Sequence, residues 1–333
     1  MGGSKINLDS LAYVHYSHQD LAKEEKFLKD FGLEEVERVD SRVYYRGTGP
    51  QPFVYVAEQS TDPQGKRFVA GGWLVQSIDD LERASSLPAA SSIKDSKEPG
   101  GGKVVTLKDP NGVEIRLLYG QETLGEKSEP MTSINTPSEK QRKGEFVRMK
   151  TGPSHIHKLG HYGFMIPPAD YKKTLSWYTS TFNLKVTDSV YNPETNEDLT
   201  CFLHIDKGQT YTDHHSFFLG HTPKSKAHVH HASFEVQHMD DQLLGHDWLT
   251  NKGWTNCWGV GRHVLGSQVF DYWFDAMGNI LEHYADGDLV NEDTPWGREI
   301  ESPESLYVWG PNIPLGFVTT EMNDANVPIP APA

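Results

Sequence analysis

The chain has 333 residues, with 46 Asp and Glu against 31 Lys and Arg and a formal net charge of −15. That length suits two domains, and the carboxylate excess argues against nucleic acid and anionic membrane surfaces as main partners, because both are bound by clustered Lys and Arg. Two Cys cannot build a disulfide framework, no window approaches 18 apolar residues, and the N-terminus has no apolar signal core, so a cytoplasmic protein is expected. The opening Met1-Gly2-Gly3-Ser4-Lys5-Ile6 is like a myristoylation signal, but Ile6 stands where Ser or Thr is needed.

In chain order, one pattern occurs twice. A short alternating strand, Leu11-Ala12-Tyr13-Val14-His15-Tyr16, leads into an amphipathic helix carrying Leu21, Leu28 and Phe31, which stops at Phe31-Gly32-Leu33. Strand signals follow at Arg42-Val43-Tyr44-Tyr45 and Ala70-Gly71-Gly72-Trp73-Leu74-Val75, and a turn at Asp109-Pro110-Asn111-Gly112 leads into Val113-Glu114-Ile115-Arg116. Gly100-Gly101-Gly102 precedes a strand, so it is a turn and not a phosphate cradle, which needs a following helix. Residues 8–120 form the first unit and 121–154 a polar linker.

The second copy opens at Leu159-Gly160-His161-Tyr162-Gly163-Phe164. Its helix carries Tyr171, Leu175, Tyr178 and Phe182, and stops at Phe182-Asn183-Leu184, where Asn183 suits a left-handed cap. Strands follow at Thr200-Cys201-Phe202-Leu203-His204 and His231-Ala232-Ser233-Phe234-Glu235-Val236, and the copy closes with Asp275-Ala276-Met277-Gly278-Asn279-Ile280-Leu281-Glu282. This unit covers 155–312, with Tyr307-Val308-Trp309-Gly310-Pro311 packing back onto it, and 313–333 is a tail that is Pro/Ala-rich from Asp324.

Of 16 His, only His15 and His18 precede residue 155; the other 14 lie between His155 and His283. Side chains alternate across a strand, so His161 lies opposite Tyr162, Phe164 and Ile166, and His231 opposite His230, Ala232 and Phe234. Glu282 lies opposite His283. Parity leaves strand order open: either the polar faces line one sheet and these groups converge, or each is an ordinary hydrogen-bonded sheet residue. Two imidazoles and one carboxylate with open positions are the facial set used by non-haem Fe(II) in oxygen chemistry. The corresponding slots of the first copy hold Tyr13, Ala70 and Arg116, none a usual metal ligand.

At these residues the chain resembles the type I extradiol dioxygenases of the vicinal oxygen chelate superfamily, over about residues 8–290. The resemblance implies an α+β fold of two similar domains, each a pair of βαβββ modules forming a funnel-like sheet, with metal only in the second. It implies metal ligands His161, His231 and Glu282, binding Fe(II) or alternatively Mn(II). His215 in His214-His215-Ser216-Phe217 matches the acid–base histidine, with His214 the competing choice, and His263 and Tyr272 match further site residues. The substrates implied are a catechol, substituted or polycyclic, and O2, and family members are commonly homo-oligomers. Two departures are Ala276 in place of the turn proline and an interval from His161 to His231 about ten residues long of the family's habit, placed in loops 192–198 or 222–226.

Other functions are weaker. No Gly-x-Ser-x-Gly nucleophile elbow occurs, and two isolated Cys do not make a closed zinc site. A glyoxalase I-like lyase or isomerase of the same superfamily needs a fourth protein ligand, and its non-catalytic binding proteins lack a complete ligand set. His155 and His157 are expected at the surface or behind the ligands. Phe217, Trp258, Trp273 and Trp309 are candidates for a pocket wall, with core packing the competing use of each.

Overall fold

Four βαβββ units follow one another in the computed structural model, which describes residues 5–62, 67–127, 133–302, 305–325 and 327–329. The expectations for residues 1–4 and 330–333 lie outside the described residues. The first half contains β1 (Leu8–His18), α1 (Leu21–Phe31), β2 (Glu34–Val39), β3 (Arg42–Arg46) and β4 (Tyr55–Gln59), then β5 (Arg67–Val75), α2 (Ile78–Ser85), β6 (Lys94–Asp95), β7 (Lys103–Lys108) and β8 (Glu114–Tyr119). The second contains β9 (Ile156–Ile166), α3 (Pro168–Thr181), β10 (Leu184–Tyr191), β11 (Asp198–Ile205), the short β12 (Thr212–Asp213) and β13 (Phe217–His221). It continues with β14 (His228–Val236), α4 (Met239–Lys252), β15 (Asn256–Arg262), β16 (Val269–Phe274), β17 (Ile280–Ala285), β18 (Leu289–Val290), β19 (Gly297–Ile300) and α5 (Leu315–Thr319). No helix among the described residues is long and apolar enough to cross a membrane.

Each half forms one sheet, in the orders β2-β3-β4-β1-β5-β8-β7-β6 and β15-β16-β17-β14-β9-β13-β11-β10-β19. In both, the opening strands of the two units pair antiparallel, β1 with β5 and β9 with β14. The fold is thus the expected mixed α+β repeat. The described part of 121–154 contains no helix or strand.

Local chemistry explains the helix limits. Asp20 caps α1 by accepting from Lys23 N at 2.9 Å, and Gly32 ends it at φ 110°, which a side chain would strain. Asn183 is not the left-handed cap that its position suggests, because α3 passes into extended backbone at Phe182. The Asn183 side chain instead bonds the other half, accepting from Leu8 N at 2.7 Å and donating to Leu8 O at 3.1 Å. A tertiary partner overrides the local cap preference. The turn that has Ala276 in place of proline keeps its hydrogen bonds: Asp275 Oδ1 accepts from Met277 N and Asn279 N at 2.7 and 2.8 Å, matching Asp109 with Asn111 N and Val113 N.

One apolar core runs through both halves, joining Leu11, Val14 and Phe31 to Tyr162, Leu219 and Phe234. Polar ties cross it: Trp73 Nε1 donates to Tyr162 Oη at 2.7 Å, and His283 Nε2 donates to Phe31 O at 2.7 Å while stacking on that ring. His283, opposite Glu282 on its strand, therefore serves the seam between halves.

Candidate metal centre

Sheet order brings the sequence-selected residues together. Tyr272 pairs with Glu282, Glu282 with Ser233 and Ser233 with His161, one row across β16, β17, β14 and β9. His231 lies two residues along from Ser233, facing the same way. His161 Nε2 and His231 Nε2 are 3.2 Å apart, and they lie 3.1 and 3.4 Å from Glu282 Oε2. Small residues make room around this point. A Cβ on Gly160 would lie 2.2 Å from Tyr284 Oη, and one on Gly163 would lie 2.3 Å from the Phe218 ring.

The donor set fits a cation. Glu282 is fully buried, yet neither of its oxygens is engaged by a hydrogen-bond donor of suitable geometry. Three donors on one octahedral face, each about 2.1 Å from an ion, lie about 3.0 Å apart, close to the separations here. Burial pushes the Glu282 carboxyl up, but the facing His161 and His231 outweigh it and hold the group well below the carboxylate range. Burial also lowers His231 to about 4, with Glu282 acting in the opposite sense. Both therefore favour the forms that bind metal, neutral imidazole and carboxylate.

The surrounding histidines are tied in chains. His263 Nδ1 donates to Leu306 O at 2.6 Å, so its Nε2 accepts from Tyr272 Oη at 2.8 Å. His214 Nε2 donates to Asp188 Oδ2 at 2.6 Å, which leaves its Nδ1 to accept from His215 Nδ1 at 3.1 Å. His215 consequently keeps its Nε2 lone pair, and its ring centre lies 4.1 Å from that of His161. Burial and the neighbouring imidazoles lower its pKa well below the ordinary value. His215, and not His214, lines the cavity beside the ligands.

Sequence parity fails at one position. β14 carries a bulge between Val229 and His231, so His230 turns out of the face of Ala232 and Phe234. It packs at 4.7 Å on Phe317 and bonds Nδ1 to Nδ1 with His231 at 2.7 Å. Such a contact orients a ligating imidazole.

The cavity holds about 200 Å³ beside the triad, with walls from Met165, Phe202, Phe218, Trp258, Leu306 and Phe317. An apolar cavity of roughly 150 Å³ admits benzene, so a substituted ring fits. Among the described residues no Lys or Arg lines it. Of the four aromatics picked from sequence, only Trp258 is in this wall: Phe217 and Trp273 are buried in the core, and Trp309 is 40% exposed. The 307–311 stretch does pack back, through Arg262 N to Trp309 O at 2.9 Å. His155 is half exposed and pairs with Asp241 at 2.8 Å, away from the triad. A larger cleft of about 540 Å³ between the halves, with Arg67, Lys108 and Lys224 on its walls, contains none of the three converging ligands.

Sequence reasoning missed Asp188 and Phe317. Asp188 lies 26 residues before His214, with no motif linking them. Phe317 sits in a stretch read as tail, where the apolar run Leu315-Gly316-Phe317-Val318 was the available signal.

The family described as the Glyoxalase/Bleomycin resistance protein/Dioxygenase superfamily matches residues 158–282, a span that includes all three converging side chains. Metapyrocatechase 2 of Cupriavidus necator is 26% identical over 315 residues, covering 91% of this chain and 90% of that protein. The structure of homoprotocatechuate 2,3-dioxygenase from Arthrobacter globiformis is similar with a TM-score of 0.78 at 16% identity, covering 99% of this chain and 98% of that one. The Mn(II)-bound glyoxalase from Novosphingobium aromaticivorans is similar with a TM-score of 0.76 at 20% identity, covering 98% of this chain and 95% of that one.

Proposed function

We propose that this chain, whose residues 158–282 match the Glyoxalase/Bleomycin resistance protein/Dioxygenase superfamily, is a member of that superfamily and an extradiol dioxygenase that opens the ring of an apolar-substituted catechol with O2. The observation that carries the reading is the three-ligand cluster His161, His231 and Glu282 beside an apolar, ring-sized cavity. Among the described residues no fourth His, Cys, Asp or Glu joins the cluster. This favours ring cleavage over a lyase or isomerase that uses four protein ligands.

Two imidazoles and a carboxylate suit divalent iron, with manganese the second choice. When bound, the ion supplies a Lewis-acid site at which the diol and O2 can be held together. The remaining steps belong to side chains. His215, kept neutral by burial and oriented through His214 and Asp188, takes a phenolic proton on Nε2 and returns it to the departing oxygen. Tyr272, whose proton is held by His263 Nε2, accepts a hydrogen bond from a substrate hydroxyl. Phe218, Trp258 and Phe317 exclude water, which strengthens each polar contact inside. With no Lys or Arg among the described residues of the wall, a carboxylate on the ring would be buried without a counter-charge, so neutral alkyl or aryl substituents are preferred. Both oxygen atoms enter the product, a muconic semialdehyde opened beside the diol.

The test is anaerobic loading with Fe(II), or with Mn(II) in a parallel sample, followed by catechol and its alkyl-, aryl- and carboxy-substituted derivatives with O2. Uptake of one O2 per diol and a yellow product are expected, fastest with the neutral substituents. Metal-loaded protein that consumes no O2 with any of them would rule the reading out.

A further inference from the structure

The Asp-x-x-Gly turns that close the two halves face different chemistry. Asp109 Oδ2 accepts from Tyr178 Oη at 3.3 Å, a neutral phenol donated by the opposite half. At Asp275 the opposite half presents two further acceptor-type groups instead, His18 from β1 and Glu24 from α1. His18 Nδ1 lies 3.6 Å from Glu24 Oε2 and 4.0 Å from Asp275 Oδ2, and all three side chains are buried.

Asp275 Oδ2 accepts from Asn279 Nδ2 at 2.6 Å. The other two are poorly satisfied: His18 Nδ1 and both Glu24 oxygens lack a hydrogen-bond partner of good geometry, with only the Ala276 N–H near Glu24. The hydroxyl of buried Tyr16 also has none, and it is close enough to Asp275 and Glu24 to feel both charges. No Lys or Arg ion-pairs with Glu24 among the described residues. An ionised carboxylate placed there needs a positive partner, because burial strips it of water. The separations favour a bound ion over a shared proton. A shared proton draws two heavy atoms to about 2.5–3.2 Å, shorter than both the 3.6 and 4.0 Å here, whereas donors bound tetrahedrally about 2.1 Å from one ion stand about 3.4 Å apart. The His18 ring can meet such an ion: its Nε2 lies 3.1 Å from Tyr55 Oη, and the tautomer that donates to that oxygen leaves the Nδ1 lone pair facing the carboxylates.

We infer that His18, Glu24 and Asp275 hold a second divalent cation, of the borderline class that includes zinc, manganese and ferrous iron, in a closed site between the halves. Tyr16 supplies a further oxygen, directly or through a water. The ion's role is structural. It ties β1 and α1 of the first half to the turn entering β17, the strand that carries Glu282. The site is independent of the ring-cleavage reading, since it shares no residue with the triad.

Metal content measured by plasma mass spectrometry and native mass spectrometry tests the assignment, on protein loaded with Zn(II) or Mn(II) and freed of loose ions. Two ions per chain are expected for the wild type, one for Glu282→Gln, one for Glu24→Gln and none for the double variant. Glu24→Gln, nearly isosteric and uncharged, should also lower the melting temperature. If Glu24→Gln misfolds, anomalous scattering from wild-type crystals loaded with Zn(II) should place a peak between His18 and Asp275. A wild type holding one ion, with Glu24→Gln holding the same one and melting no lower, overturns the proposal. So does a crystal with no anomalous peak at the seam.

Discussion

The two halves place different charges in equivalent slots. Tyr13 lies opposite Gly72 and Gly72 opposite Arg116, just as His161 lies opposite Ser233 and Ser233 opposite Glu282. In the first half the slots satisfy one another. Tyr13 Oη donates to Glu98 Oε2 at 2.8 Å, Arg116 Nη1 reaches Glu98 Oε1 at 3.3 Å, and Tyr44 and Phe53 pack into the remaining space. In the second half the three groups converge without any Lys or Arg ion-paired among them, and aromatic walls stand back to leave a cavity. One backbone thus gives either a plug or a site. The deciding difference is whether the cation is a covalent part of the chain, as Arg116 is, or must be bound.

Breaking the second half's set should have the largest effect. Glu282→Gln keeps the shape but removes the charge, and metal affinity at the triad should fall by more than the roughly 10²-fold typical of losing a mere supporting contact. Ring cleavage should become undetectable; metal titration with an O2 electrode checks both. His215→Asn should retain the triad's metal while turnover falls about 10²–10⁴-fold. Asp188→Asn acts only through His214 and should cost about 10-fold in kcat with the metal kept, alongside a changed pH profile. Equal damage from both variants would mean that Asp188 does more than orient.

Breaking the first half's set should leave the metal in place and reduce stability instead. Arg116→Met strands Glu98 without its buried cation, at a cost of about 3 kcal/mol in denaturant unfolding with the triad's metal content unchanged. Phe317→Ala tests the cavity wall: KM for an aryl-substituted catechol should rise about 10-fold, and KM for catechol itself should change less.

The smallest effect concerns acid stability in the first half. His15 Nε2 lies 3.0 Å from Glu58 Oε2, and with Arg42 this proximity lowers the Glu58 carboxyl to about 2. A depressed carboxylate stabilises the fold above its unfolded value near 4.5, and that contribution is lost as pH falls towards 2. Wild type should therefore lose about 1 kcal/mol more than Glu58→Gln between pH 5 and pH 2, discounted because Glu58 is partly exposed. Parallel acid titrations of the two would remove this distinction.

Much of this was readable from residues alone. The repeat, the α+β units and the selection of His161, His231 and Glu282 all follow from local periodicity and from comparing one half with the other. His230 was placed on the wrong face, because a bulge adds one residue and reverses the alternation on one side of it. Asn183 was given a cap role that a partner 175 residues away replaced. Trp273 and Trp309 show the same limit: aromatic character marks a side chain for burial or contact, not for one surface rather than another.

The sequence by itself determined which side chains are the candidates for chemistry and which half holds them, because residue type and strand parity are local properties. Tertiary structure decided which of them meet. The row from Tyr272 to His161 depends on β17 and β9 both flanking β14, a result of packing between distant segments. It also put His215 and not His214 at the cavity, set Asp188 against His214, and brought His18, Glu24 and Asp275 together. Each of these depends on distances of a few ångströms between groups far apart in the chain, and those distances are set by the shared core of the two halves.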